Sequence, residues 1–163
     1  MAIEIYCNQI QGNNMKIMVD ADACPRHIKE ILLRASHRTK CELVFVANQP
    51  FNVVSTSLIK SIQVGKGFDV ADNYIVENVE KQTLVVTADI PLAAQVLEKG
   101  AMALNPRGEI YHADMIRQRL AMRNFMDEMR SSGIQTGGPK PMSKTDIQKF
   151  SNALDSYLAK FKR

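Results

Sequence analysis

The sequence predicts an α/β fold: a mainly parallel central sheet flanked by helices, with further helices added at the C-terminus. Two observations lead to it. Short apolar runs alternate with stretches of helical periodicity through most of the 163 residues, the pattern of strand–helix–strand units. In addition, aspartates recur where successive apolar runs end, and in open parallel sheets the carboxyl ends of strands are where ligands gather.

Taken in order, the first 14 residues, "MAIEIYCNQIQGNN", end in a polar turn-like stretch and read as an extension, with one edge strand over residues 3–6. A single domain is expected over residues 15–163. "KIMVD" reads as a buried strand, and Pro25 suits the first turn of the helix that follows. In that helix Ile28, Ile31, Leu32 and Ala35 repeat at helical spacing to about Ser36. "ELVFVA" is a second strand. Residues 51–60 favour no single element, "SIQV" reads as a third strand, and "GKGF" as a loop. A helix follows from Asp69, with Val70, Tyr74, Ile75, Asn78 and Val79 at helical offsets. "TLVVTA" gives the strongest strand signal and ends at Asp89; Pro91 opens a helix that Gly100 closes. "MAL" is a short strand before the turn "NPRGE", and a longer helix spans about residues 114–130. After the glycine- and proline-rich loop "GIQTGGPKPMS", Ser143 and Asp146 have capping-box spacing. The last helix carries Ile147, Phe150, Leu154, Tyr157, Leu158 and Phe161 on one face.

Composition bounds the function. The chain is 45% hydrophobic and 23% charged, as in soluble globular proteins. It has neither a run long enough to span a membrane nor a basic-then-apolar leader, so no membrane partner and a cytoplasmic location are expected. Cys7, Cys24 and Cys41 form no C-x-x-C pair, which argues against a disulfide framework or a structural zinc site. Residues 1–100 carry 10 Lys and Arg against 11 Asp and Glu, whereas residues 101–163 carry 11 against 6. A basic second part is compatible with a phosphate-bearing partner; ordinary solvated helix faces explain the same charges.

The chemistry lies in five aspartates from three segments. Asp20 and Asp22 leave the first strand, Asp89 leaves the last strong strand, and Asp69 and Asp72 start a helix three residues apart. Several carboxylates within about 4–6 Å of one another cannot all stay ionised without a countercharge. A hard divalent cation, magnesium or manganese, supplies it through oxygen ligands and can activate water against a phosphodiester. Each aspartate taken singly is also what a strand end or helix cap would use. Cys24 beside these acids reads as a packed side chain, because neighbouring carboxylates oppose a thiolate. Met115, Met122, Met126 and Met129 read as core or interface filling. Lys66, Arg107 and Lys140 are cations on loops and candidates for guiding phosphate.

The stretches "VDADACP", "GFDVADNYIV", "TADIPLA", "ALNPRGE" and "GPKP", in this order, resemble the bacterial YaiI/YqxD family of uncharacterised proteins related to PIN domains. The resemblance covers the chain from about Met15 onward. It implies a parallel sheet with an acidic magnesium or manganese pocket and nuclease-like chemistry. Within it Asp20, Asp72 and Asp89 match the metal-holding acids and Thr87 the threonine of the T-x-D motif. Asp22 and Asp69 are additional acids fitting the YaiI/YqxD pattern. The chain departs from typical PIN nucleases in lacking the mid-chain glutamate and in adding a basic C-terminal helix pair.

The leading expectation is therefore a metal-dependent nuclease acting on RNA or another phosphodiester. Asp20, Asp22, Asp69, Asp72 and Asp89 would form its catalytic pocket, and Thr87, Lys66, Arg107 and Lys140 would stand on the substrate side. Two alternatives stay open. One is a nucleic-acid-binding module without catalysis. The other is a haloacid-dehalogenase-type phosphatase, since "VDADA" resembles a D-x-D strand in which Asp20 would attack phosphorus.

Overall fold

The computed structural model describes residues 15–50, 52–53, 55–67, 69–133 and 140–160. The expected N-terminal extension with its edge strand, and Phe161 of the last helix, lie outside the described residues.

Among the described residues five parallel strands form one sheet: β1 (Lys16–Asp20), β2 (Glu42–Ala47), β3 (Ile59–Gln63), β4 (Thr83–Val86) and β5 (Met102–Leu104). Five α-helices of the described residues flank it: α1 (Arg26–Thr39), α2 (Val70–Asn78), α3 (Ile90–Glu98), α4 (Ala113–Ser131) and α5 (Lys144–Lys160). The strand order is β3-β2-β1-β4-β5.

Alternation along the strands sorts the core into two layers. Ile17, Val19, Leu43, Phe45, Leu84 and Val86 face the side that packs α1 and α5, joined there by Ile28, Leu32, Phe150 and Leu154. Met18, Val44, Val46, Val85 and Ala103 face the opposite layer, with Ile75 of α2, Leu92 and Val96 of α3, and Ile116 of α4. Burial on both faces is why these strands read as continuous apolar runs rather than alternating ones. No helix among the described residues is long and apolar enough to cross a membrane.

Three boundaries differ from the sequence reading, each for a local reason. α1 runs past Ser36 to Thr39 and ends where Lys40 turns left-handed at φ 59°, its amide donating to the Ser36 carbonyl at 2.9 Å. β3 begins at Ile59 rather than Ser61. The Thr56 hydroxyl accepts from the Leu58 and Ile59 amides at 3.2 and 3.1 Å and starts the strand, while Ile59 pairs with Leu43. β4 stops at Val86, because the Asp89 amide turns back to the Thr87 hydroxyl at 3.0 Å.

The capping box forms as expected. The Ser143 hydroxyl accepts from the Asp146 amide, and the Asp146 carboxylate from the Ser143 amide, both at 3.1 Å. Asp146 also pairs with Arg107 at 2.8 Å, and the Ser143 amide together with that guanidinium holds its carboxyl below the usual range. Arg107 further donates to the carbonyls of Lys140 and Pro141, tying the turn after β5 to the start of α5. Gly108, at φ 93°, lets this turn touch α5, since a β-carbon there would lie 2.4 Å from the Lys149 carbonyl carbon.

Candidate acidic site at the strand switch point

Chain progression reverses between β1 and β4: β2 and β3 lie beyond β1, and β5 lies beyond β4. At such a switch point the loops leaving two adjacent parallel strands part in opposite directions and open a crevice at their carboxyl ends. Asp20 is the last residue of β1, and Thr87 and Asp89 follow β4, its immediate neighbour.

Asp20 is only 8% exposed. Its carboxylate accepts the Thr87 hydroxyl at 3.3 Å, and that same hydroxyl oxygen accepts from the Asp89 amide at 3.0 Å. Thr87 is buried and bridges the two acids. Its carbonyl accepts from the Tyr111 hydroxyl at 3.3 Å, and Tyr111 in turn accepts from the Asn105 amide at 2.7 Å. Asp89 caps α3 by accepting from the Leu92 amide at 3.1 Å.

Asp72 lies in the first turn of α2 and is half-buried; Asp69, just before it, holds a left-handed conformation at φ 66°, which Asp tolerates better than most residues. Asp22 sits in the single 3-10 turn Ala21–Ala23, exposed, with its carboxylate accepting from the Asn48 amide at 2.7 Å. The Asn48 side chain donates to the Gly65 carbonyl at 3.0 Å, so Asp22 and Asn48 join the loops after β1, β2 and β3.

The electrostatics show which acids share one field. Burial pushes the Asp20 carboxyl up, the Thr87 hydrogen bond partly offsets this, and Asp89 and Asp22 push it further. Asp72 is raised to about 6, by burial first and then by Asp89, Asp20 and Asp69. Every charged neighbour that shifts these two groups is another carboxylate. Even so, among the described residues no three acidic, histidine or cysteine side chains stand close enough together to enclose a metal ion. Asp22, Asp69 and Asp89 thus act on Asp20 or Asp72 across the loop ends without forming a closed cage.

The remaining candidates fall elsewhere. Lys66 is exposed on the loop between β3 and α2. Arg107 is spent on Asp146 and two carbonyls, and Lys140 is exposed with its carbonyl taken by Arg107. Cys24 and Cys41 are free and buried, and burial raises both thiols to about 12, so neither supplies a thiolate near neutrality. Met122 is 59% exposed, so it does not fill the core, whereas Met115 packs partly buried against the layer of α2, α3 and α4. Sequence reasoning missed Asn48, Asn105 and Tyr111 as supports of the crevice. The only signal for Asn48 and Asn105 was position in the turns "NQP" and "ALNPRGE" directly after strands, and Tyr111, two residues beyond the second turn, had none.

A doubly wound α/β protein with an acidic crevice at its switch point is the class that fold and site define. Over residues 18–160 the chain matches the family described as "Uncharacterized BCR, YaiI/YqxD family", and it belongs to that family. A UPF0178 protein of Shewanella sp. (strain MR-4) is 60% identical over 145 residues, covering 89% of this chain and 97% of its own. A UPF0178 protein of Yersinia pestis (strain Pestoides F) is 60% identical over 144 residues, covering 88% and 95%. No solved structure matches the chain significantly.

Proposed function

We propose that the protein is a magnesium- or manganese-dependent phosphodiester hydrolase acting on RNA, with Asp20, Asp72 and Asp89 as the metal-holding acids. The observation that carries this reading is the uncompensated negative field: the charged groups acting on buried Asp20 and half-buried Asp72 are carboxylates only. A purely structural carboxylate in such surroundings is expected to have a cationic partner, as Asp146 has in Arg107. The lack of a closed cage is compatible with magnesium, which keeps several waters and takes one or two carboxylates together with substrate phosphate.

A bound divalent ion would supply a water of lowered pKa and neutralise charge on the phosphoryl oxygens. The chain's own residues do the rest. Thr87 fixes Asp20 and the Asp89 backbone relative to each other, and the Leu92 amide holds Asp89. Asp22 and Asp69 line the mouth and add to its field. Lys66 stands exposed on the loop leading to Asp69 and would meet phosphate there.

The test is hydrolysis of labelled single-stranded RNA by purified protein with manganese or magnesium. Asp20→Asn should abolish cleavage while its circular dichroism stays that of the wild type. Turnover that is unaffected by chelator, or equal in the two proteins, would sink the reading.

A further inference from the structure

A buried tyrosine holds the chain at each end of β4. Before the strand, the Tyr157 hydroxyl of α5 donates to the Gln82 carbonyl. After it, the Tyr111 hydroxyl donates to the Thr87 carbonyl at 3.3 Å. The first contact lies at the amino edge of the sheet, away from the acids. The second falls on the residue that bridges Asp20 and Asp89.

The sheet itself cannot hold the Thr87 carbonyl. In a parallel ladder, a residue that donates to a carbonyl of the neighbouring strand accepts from the amide two residues further along that strand. The Thr87 amide donates to the Leu104 carbonyl at 3.1 Å, so the matching donor would be the amide of residue 106. Residue 106 is Pro106, which has no N–H. Tyr111 supplies the missing donor. The chain turns back after β5, where Ile110 bridges Leu104 and the Tyr111 amide donates to the Ala103 carbonyl at 3.0 Å. Asn105 then fixes the direction of the phenolic proton. Its side-chain oxygen accepts from the Arg107 amide and its nitrogen donates to the Tyr111 oxygen, both at 2.7 Å. The single hydroxyl proton is left for Thr87, and burial pushes the phenol above its ordinary value, so the proton stays in place near neutrality. Thr87 thus gives its amide and carbonyl to β5 and the returning segment, and its hydroxyl to the two acids.

We propose that Tyr111 is a positioning residue of the acidic crevice. By holding the Thr87 peptide it sets where the Thr87 hydroxyl stands, and hence how Asp20 and Asp89 are presented to a divalent cation. The cation rests on the hydrolase reading; the placement of the two acids by Tyr111 does not. A hydroxyl with a structural part alone would stabilise the fold and leave the crevice unchanged, and the Gln82 contact gives Tyr157 that part.

The experiment compares Tyr111→Phe with Tyr157→Phe, each of which keeps the ring and removes one buried hydroxyl at one end of β4. Both should lower Tm alike, by about 3 °C. Manganese alone is titrated into the full chain and followed by electron paramagnetic resonance of the free ion. It should bind Tyr111→Phe about tenfold more weakly, the loss typical of a group that orients metal ligands from behind, and Tyr157→Phe as it binds the wild type. In chelator, hydrogen exchange of the Asp89 amide, which donates to the Thr87 hydroxyl, should quicken about tenfold in Tyr111→Phe only. Asn105→Ala keeps the phenol but frees its proton to turn away, and should move both readouts in the same direction by a smaller factor. Equal manganese affinity in Tyr111→Phe and the wild type overturns the proposal. So does an equal effect of the two tyrosine variants on affinity and on the Asp89 amide, or, if Tyr111→Phe does not fold, an Asn105→Ala that moves neither. If the wild type binds no manganese, the hydrolase reading falls and the Asp89 amide alone decides: quickened in Tyr111→Phe only, it upholds the positioning, and unchanged, it overturns it.

Discussion

Two turns at the carboxyl edge of the same sheet treat charge in opposite ways. After β5, Arg107 is neutralised by Asp146 and by carbonyls at the start of α5, and Gly108 packs directly against that helix. After β1 and β4, Asp20 and Asp89 are held by a hydroxyl and backbone amides, and the charged groups acting on Asp20 are carboxylates. Desolvated charge is costly unless it is paired. The first turn follows that rule and ties the fold together. The second departs from it where two loops diverge, and a departure of that kind marks a place where something else completes the charge balance.

The contrast is most easily broken at Gly108. In Gly108→Ala the new methyl meets Lys149 and Phe150 backbone atoms at 2.4–2.5 Å, in a left-handed conformation that alanine resists. Overpacking and the conformational cost together should destabilise the protein by about 3 kcal/mol. Chemical denaturation measures this, and hydrogen exchange should localise the loss to α5. If the variant is as stable as the wild type, the turn after β5 is no clamp.

Thr87→Val is the matching experiment in the crevice. Valine keeps the shape and removes the hydroxyl that Asp20 accepts from and the Asp89 amide donates to. The buried Asp20 carboxylate and the part-buried Asp89 amide each lose a partner, so a loss of about 1–2 kcal/mol is expected. The Asp20 carboxyl, which that hydrogen bond holds down, should titrate higher still. Carboxyl carbon chemical shifts followed against pH check it; an unmoved Asp20 would mean that Thr87 does not set its ionisation.

These two sites differ in how far the sequence announces them. The strands, their parallel arrangement and the capping box of α5 follow from periodicity and local chemistry, and the structure has them. Asp20, Asp72 and Asp89 could be paired on paper because each stands at a strand end or helix start, positions that topology brings to one edge. The partner of Arg107 could not, since Asp146 lies 39 residues away. Likewise, nothing in the spacing of Met122 and Phe125 distinguishes a helix face turned to solvent from one turned to a core. Which face an amphipathic segment buries is decided by its neighbours. The β3 start and the end of α1 shifted by two or three residues because single side-chain and left-handed contacts set them.

The smallest effect is also the most direct test of the uncompensated field. Folded, Asp72 ionises near 6, while its ordinary value is 3.8. Between those values the folded protein holds more proton than the unfolded chain, so this group lowers stability as pH rises through the window, and the deficit is complete above about 6. Asp72→Asn removes the group. Measured in chelator, the variant should match the wild type near pH 3, where Asp72 is protonated and uncharged in both states, then exceed it at pH 7. A shift of two units would correspond to about 2.7 kcal/mol. Asp72 is half-buried and screened by solvent, so about 1 kcal/mol or less is expected, a rise of about 2 °C in Tm for a chain of this size. Manganese should reverse the order, because a ligand that binds only the folded state stabilises the protein that still has its acid. Melts that cross in this way tie the destabilising carboxylate to the cation that would balance it. A variant that gains nothing at pH 7 would mean that Asp72 feels no such field.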